Sequence, residues 1–327
     1  MKIIWVKDGN KGHEKQVKVL LSELSKDINF QVIEDDYHSR SFKKILDVVH
    51  HLTYYFFKLK KTFKNFIDIN HNEIILVIGA GSSSHMRILS IKNFFRKTNN
   101  NNNNNIVTIS VLTPSVFRKN FDLICSPLHD RDKLKDLKNV LFFEGSLAQV
   151  SDLEPDNQIG LIGLGGVNKH FIFHENDLIK QIEYILSLYP KKQWYVFTSR
   201  RTPEMMIQKI NQLKKIYENI SISTEGFDEI IKKASIKIIT QDSVNMVYES
   251  LSCKGKTILF NMKCKKENKV VKQINKLLST NQIGSIEKKK IADNLSKTKI
   301  IMPREFNEVF CEVEKLSYKI IKYLNLK

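Results

Sequence analysis

The chain has 327 residues, 42% of them hydrophobic and 27% charged, with 12 Gly and 6 Pro, a composition that excludes a disordered or collagenous chain. Its length suits two domains with a sizeable buried core. Basic residues outnumber acidic ones 53 to 35, for a formal charge of +18, which either serves an anionic partner or reflects a drift toward Asn, Ile and Lys with no binding purpose.

In chain order, residues 3–6 predict a buried strand, 13–24 a helix and 29–33 a second strand. Residues 74–78 and 106–111 predict further strands, with a helix over 84–97 after a Gly-rich turn. Apolar runs alternating with helical spacing are a βα repeat. A second series follows in the runs 159–164, 194–198, 236–240 and 257–260. The polar stretch 151–158, with Pro155 and three acids, reads as the linker between two halves. Pro303 then punctuates the chain before a helical pattern over 306–324 that needs a surface to pack on. The seven-Asn tract at 99–105 reads as an exposed loop.

Cys125, Cys253, Cys264 and Cys311 are too scattered for a disulfide framework or a Cys-x-x-Cys metal site. A reducing cytoplasm fits them, and no secretory segment or membrane-spanning run is expected. Residues 41–66 interleave lysines with Phe42, Tyr54, Tyr55, Phe56, Phe57, Phe63 and Phe66. They read either as a core-facing amphipathic helix or as one lying on an anionic bilayer.

Five strand-to-helix segments carry chemistry-bearing residues, and in a parallel sheet such segments fall at the ligand-binding edge. After the first strand stand Asp8, Gly12, His13 and Glu14. His13 suits a general base because its ordinary pKa lies near neutrality, with Glu14 and Asp8 in reserve, though a helix-capping role explains it equally. Gly79, Gly81 and Ser82, like Gly165 and Gly166, mark turns that either cradle a ligand with backbone donors or serve structure alone. After residues 194–198, Ser199, Arg200, Arg201 and Thr202 lead into Pro203 at a helix start, an arrangement suited to phosphate. Asp242 or Ser243 caps a helix that continues through Val244, Met246 and Glu249, a spacing that fits diphosphate at the helix start and ribose at the glutamate.

Taken in order, DGNKGHEKQ, GAG, FDLICSPLHD, NVLFFEGSL, LIGLGG, TSRRTPE and TQDSVNMVYES resemble the mitochondrial-fission "elongated mitochondria" family over nearly the whole chain. Bacterial members are regarded as candidate glycosyltransferases, some linked to the outer core of lipooligosaccharide. The family's Asp-x-x-x-Gly-His-Glu falls on Asp8, Gly12, His13 and Glu14, its Ser-Arg-Arg-Thr-Pro on residues 199–203, and its Asp-Ser-x-x-Met on Asp242, Ser243 and Met246. Where the family often has Arg and Thr after the Gly-x-Gly, this chain has Ser82, Ser83 and Ser84.

The resemblance implies an α/β fold of two Rossmann-like domains facing a cleft, the B-type glycosyltransferase fold. The expected boundaries are 1–155 for an acceptor domain, 156–302 for a donor domain and 303–327 for a helix crossing back to the first. It implies a metal-independent, cofactor-free transfer from a nucleotide-sugar to a lipid-linked saccharide such as a lipopolysaccharide core, by a cytoplasmic protein peripheral at the inner membrane. Plant members of the family instead recruit a fission dynamin, so a non-catalytic adaptor is the alternative. No nucleic-acid partner is expected, because no binding module for one is recognisable.

Overall fold

A computed structural model of the chain describes residues 1–37, 45, 48, 73–98, 105–223, 225–292, 295–305 and 308–324. The Asn tract other than Asn105, and all of 41–66 except Ile45 and Val48, lie outside the described residues. The chain divides into two compact units, Met1–Ala148 with Glu312–Lys327, and Gln149–Cys311.

The first unit contains β1 (Lys2–Lys7), α1 (Lys11–Leu24), β2 (Gln31–Asp36), β3 (Ile75–Ala80), α2 (Ser82–Thr98), β4 (Ile106–Val111), β5 (Leu123–Pro127) and β6 (Val140–Phe143). All six strands are parallel, in the order β2-β1-β3-β4-β5-β6. Parallel strands covered on both faces need continuous apolar sequence, and β3 is buried at every position. Ile4, Val6, Val77, Ile88 and Phe95 share one core cluster.

The second unit contains β7 (Asp156–Leu164), α3 (Glu175–Leu188), β8 (Gln193–Thr198), α4 (Glu204–Ile216), β9 (Ile220–Ser223), α5 (Phe227–Lys233), β10 (Ala234–Ile239), α6 (Val244–Leu251), β11 (Lys256–Leu259), α7 (Lys269–Ser279), β12 (Gly284–Ala292) and β13 (Leu295–Ile301). The sheet runs β13-β12-β11-β10-β7-β8-β9. It is parallel except for the antiparallel hairpin β12–β13. The strand period of two sends Ile162, Leu164 and Ile238 into one core cluster and Leu161 and Ile239 into the other, on the opposite face. Lys237, fully buried on the latter face, donates to the carbonyls of Ser250 (2.7 Å), Cys253 (2.9 Å) and Lys254 (2.7 Å). This ammonium closes the carboxyl end of α6, and burial lowers its pKa to about 8.

Three expectations are corrected. The stretch 151–158 is not a linker: Ser151 bridges to Cys253 and β7 already begins at Asp156, so the unit boundary falls at 148/149. The last helix, α8 (Glu312–Leu324), starts later than 306, because the preceding segment belongs to the second unit, where Phe310 stacks edge-on against Tyr248 at 5.8 Å. Pro203 is the N-cap of α4 rather than its first residue. The surface α8 finds is α1 and β6: it buries Val313, Leu316, Ile320 and Ile321, and Glu312 accepts the Glu144 N–H at 2.7 Å. Among the described residues no helix is long and apolar enough to cross a membrane.

Candidate functional site

Each sheet has one point where its strand order reverses, and open α/β sheets bind ligands beyond the carboxyl ends of the strands there. In the second unit β7, β8 and β9 run outward one way and β10, β11 and β12 the other, so the reversal lies between β7 and β10. Register aligns the strand ends, pairing Gly163 with Ile239 and Leu164 with Thr198. Segments far apart in sequence therefore emerge side by side.

There the Gly165 N–H donates to the Thr240 hydroxyl at 2.7 Å and the Gly166 N–H to Asp242 Oδ2 at 2.8 Å. The same Oδ2 takes the Arg201 guanidinium at 3.0 Å. Ser199 donates to the Gly165 carbonyl at 2.7 Å, and the Thr202 hydroxyl is bonded to that carbonyl as well. A Cβ on Gly165 would strike the Asp242 carboxylate, and one on Gly166 would strike the backbone of Arg201 and Thr202. Glycine at both positions is what lets three loops close on one another. Burial pushes the Asp242 carboxyl up from its ordinary pKa, opposed by the Gly166 N–H, Thr240 and Arg201.

The expected residues are thus partly gathered and partly reassigned. Asp242 does not cap α6; its Oδ2 is taken by Gly166 and Arg201, and its Oδ1 is buried without a hydrogen-bond partner among the described residues. Ser243 occupies the N-cap position but makes no side-chain cap bond, so no side chain of its own closes the helix's first N–H groups. Arg201 is held by Asp242, whereas Arg200 is exposed and carries no hydrogen bond or ion pair among the described residues. Val244 and Met246 pack against the core cluster, and Glu249, near the far end of α6, bears electrostatically on the Cys253 thiol.

Sequence reasoning missed the continuation of the glycine loop. Asn168 donates to the Asp242 carbonyl at 3.1 Å and accepts the N–H groups of His170 and Phe171, and Lys265 reaches the Asn168 carbonyl at 2.7 Å. Burial and the charge of Lys169 lower the pKa of His170, with Arg201 and Asp242 also within electrostatic reach. Position offered the signal, since polar residues directly after a glycine pair at a strand's carboxyl end share that edge.

In the first unit the reversal lies between β1 and β3. Asp8, with a side chain only 4% exposed, accepts from His13 at 2.8 Å between Oδ2 and Nδ1. A carboxylate only accepts, so Nδ1 carries a proton, and in the neutral ring Nε2 has a free lone pair. Gly81, at φ +82°, permits this approach, because a Cβ there would strike both the His13 ring and Asp8. Asn10, not His13, caps α1 by accepting the Gly12 N–H at 3.0 Å, and Glu14 is spent on the Gly9 N–H at 2.8 Å. Gly79 allows tight packing of β3 on the Val6 carbonyl, and Ser82 opens α2, exposed.

Behind this pair lies His85, 1% exposed. The Ser110 hydroxyl lies 2.8 Å from the Leu112 carbonyl and 2.9 Å from His85 Nε2, and His85 Nδ1 is buried with no hydrogen-bond partner among the described residues. Burial, reinforced by the charge of His13 and opposed by Asp8 and the Val111 carbonyl, lowers the His85 pKa to about 4. Among the described residues no group of three His, Cys, Asp or Glu side chains is placed to hold a metal ion.

Two Rossmann-like units, each with a parallel sheet, define a fold of the B-type glycosyltransferase class. The chain belongs to the family described as Mitochondrial fission ELM1, whose profile matches residues 11–302. No curated protein shows a significant sequence match. Among solved structures, the UDP-GlcNAc 2-epimerase from Neisseria meningitidis bound to UDP-GlcNAc is similar at 13% identity and TM-score 0.50, covering 100% of this chain and 93% of that one. A structure described as a UDP-N-acetylglucosamine 2-epimerase from Listeria monocytogenes is similar at 9% identity and TM-score 0.52, covering 99% and 88%. The lipopolysaccharide outer core galactosyltransferase WaaB matches at 9% identity and TM-score 0.43, covering 99% and 90%.

Proposed function

We propose that the protein is a nucleotide-sugar-dependent glycosyltransferase whose second unit holds the donor. One observation carries this reading: the loops 165–168 and 199–202 and the start of α6 meet at the strand reversal, around a helix N-terminus that its own N-cap side chain leaves uncapped. Such a terminus offers backbone N–H groups and partial positive charge to an anion, and Arg200 and Arg201 add guanidiniums that suit diphosphate. Those groups would stabilise the leaving nucleoside diphosphate without a metal ion. The similar structures from Neisseria and Listeria, named for enzymes acting on UDP-GlcNAc, favour a uridine nucleotide.

In this reading His13 of the first unit is the base. Its Nε2 takes the proton from an acceptor hydroxyl as that oxygen bonds to the anomeric carbon, while the bond to the diphosphate breaks and its electron pair leaves with the nucleotide. Asp8 acts through His13, as a positioning residue that fixes the tautomer. A lipid-linked saccharide is the proposed acceptor, with the protein peripheral at the inner membrane.

Calorimetry with UDP and a panel of nucleotide-sugars tests the proposal. Binding is expected, weakened roughly tenfold by Arg200→Ala and more by Arg201→Ala, as for loss of a charge-assisted contact. If no nucleotide or nucleotide-sugar binds at millimolar concentration, the donor-site reading fails and the adaptor expectation replaces it.

A further inference from the structure

The second unit has another opening, at the amino end of the same sheet. A cavity of about 760 Å³ is lined by the starts of β7, β10 and β11 and by the turn between α3 and β8. It therefore lies the length of the strands, roughly 20 Å at 3.3 Å per residue, from the glycine loops. Its walls combine Leu188, Tyr189, Pro190, Ile236 and Met302 with three lysines, Lys191, Lys192 and Lys256, and include no carboxylate.

Lys192 is the informative member. It is 8% exposed, and lysine is seldom buried without a carboxylate beside it. Its ammonium donates to the Asn157 carbonyl and, at 2.7 Å, to the Ser235 hydroxyl. Both acceptors are neutral, so one of its three N–H groups has no acceptor among the described residues. Asp156 is the carboxylate acting on it, opposing a pKa lowered chiefly by burial, but that side chain accepts the Gln158 N–H at 2.7 Å. Lys191 and Lys256 are exposed and have no ion-pair partner among the described residues.

Lys237, the other buried lysine of this sheet, has all three protons on carbonyls. A second basin of about 720 Å³ shares Asn157, Ser235 and Lys256 with the first but is lined as well by Glu154, Glu305 and Glu308. Of the two basins, only the one with the apolar wall has no carboxylate in its lining, and there Leu188 is 45% and Met302 39% exposed. Pockets of this make-up, apolar with a few placed polar groups, are the usual form of small-molecule sites.

We infer that this amino-end cavity is a binding site for an amphiphilic organic anion, a carboxylate or phosphate carried on an apolar body, with the acid group on Lys192 and Lys256 and the body against Leu188, Tyr189 and Met302. The site is distinct from the proposed donor site and does not depend on it.

Calorimetry with monomeric dodecanoate, dodecanol and inorganic phosphate tests this. Dodecanoate is expected to bind one per chain with a Kd below about 0.1 mM, and dodecanol and phosphate at least tenfold more weakly. Lys256→Glu, at an exposed side chain, is expected to weaken dodecanoate at least tenfold. Lys214→Glu, an equal charge change on exposed α4, leaves it unchanged and separates the site from the general attraction of a +18 chain. Lys192→Met repeats the loss if the variant folds. The inference is overturned if dodecanoate does not bind, if dodecanol or phosphate binds as tightly, or if the Lys256 and Lys214 variants lose affinity equally.

Discussion

The two strand reversals of this chain are built on one topology and furnished differently. Between β1 and β3 a buried aspartate orients a histidine whose second nitrogen is free, and Asn10 caps the adjoining helix with its side chain. Between β7 and β10 an aspartate is also buried, but its partner is an arginine, and the adjoining helix has no side-chain cap. The first arrangement suits moving a proton and the second suits holding an anion. The fold supplies a location, and the residues in the strand-to-helix turns decide what chemistry happens there.

The largest expected effect separates the two sites by function. His13→Ala should lower transfer by roughly a hundred- to ten-thousand-fold, the usual worth of a general base, and leave UDP affinity within twofold of the parent. Equal loss of both would break the division of labour between the units. Gly166→Ala, which drives a methyl group into the backbone of Arg201 and Thr202, should cost about 2–4 kcal/mol in urea unfolding, at the severe end for one substitution.

The first unit carries one defined pH effect, at His85. A histidine whose folded pKa is about 4 against an ordinary 6.5 binds fewer protons folded than unfolded, so its contribution grows as pH rises between those values and is lost as pH falls through them. That contribution is about 3 kcal/mol. His85→Gln should flatten the corresponding part of the stability curve, and an unchanged slope from pH 4 to 6.5 would place the titration elsewhere. The smallest effects compare the helix starts: Asn10→Ala should cost about 1 kcal/mol, Ser243→Ala only a few tenths, since the serine makes no cap bond to lose.

How much was legible in the sequence follows from how local each signal is. Central strands β1, β3, β4, β7 and β10 contain largely apolar runs and stand out. The four- and five-residue strands β5, β6 and β9 show no period, and the lysine-rich β12–β13 hairpin at the end of the sheet lacks a continuous apolar run to mark it. The segments at the carboxyl edges were identifiable individually. Which side chains bond to which was not, because the Arg201–Asp242 and Gly166–Asp242 contacts depend on strand register between distant segments. Lys237 stood in view as one lysine within an apolar run, a sign that its ammonium must find acceptors indoors.

Helix α8 makes the first unit discontinuous, and this bears on how the molecule is made. Residues of the second unit leave the ribosome as one unbroken stretch and can complete their core at once. The first unit, although begun earlier, keeps one side of α1 and β6 uncovered until α8 has been synthesised. The usual order of domain completion is thereby reversed.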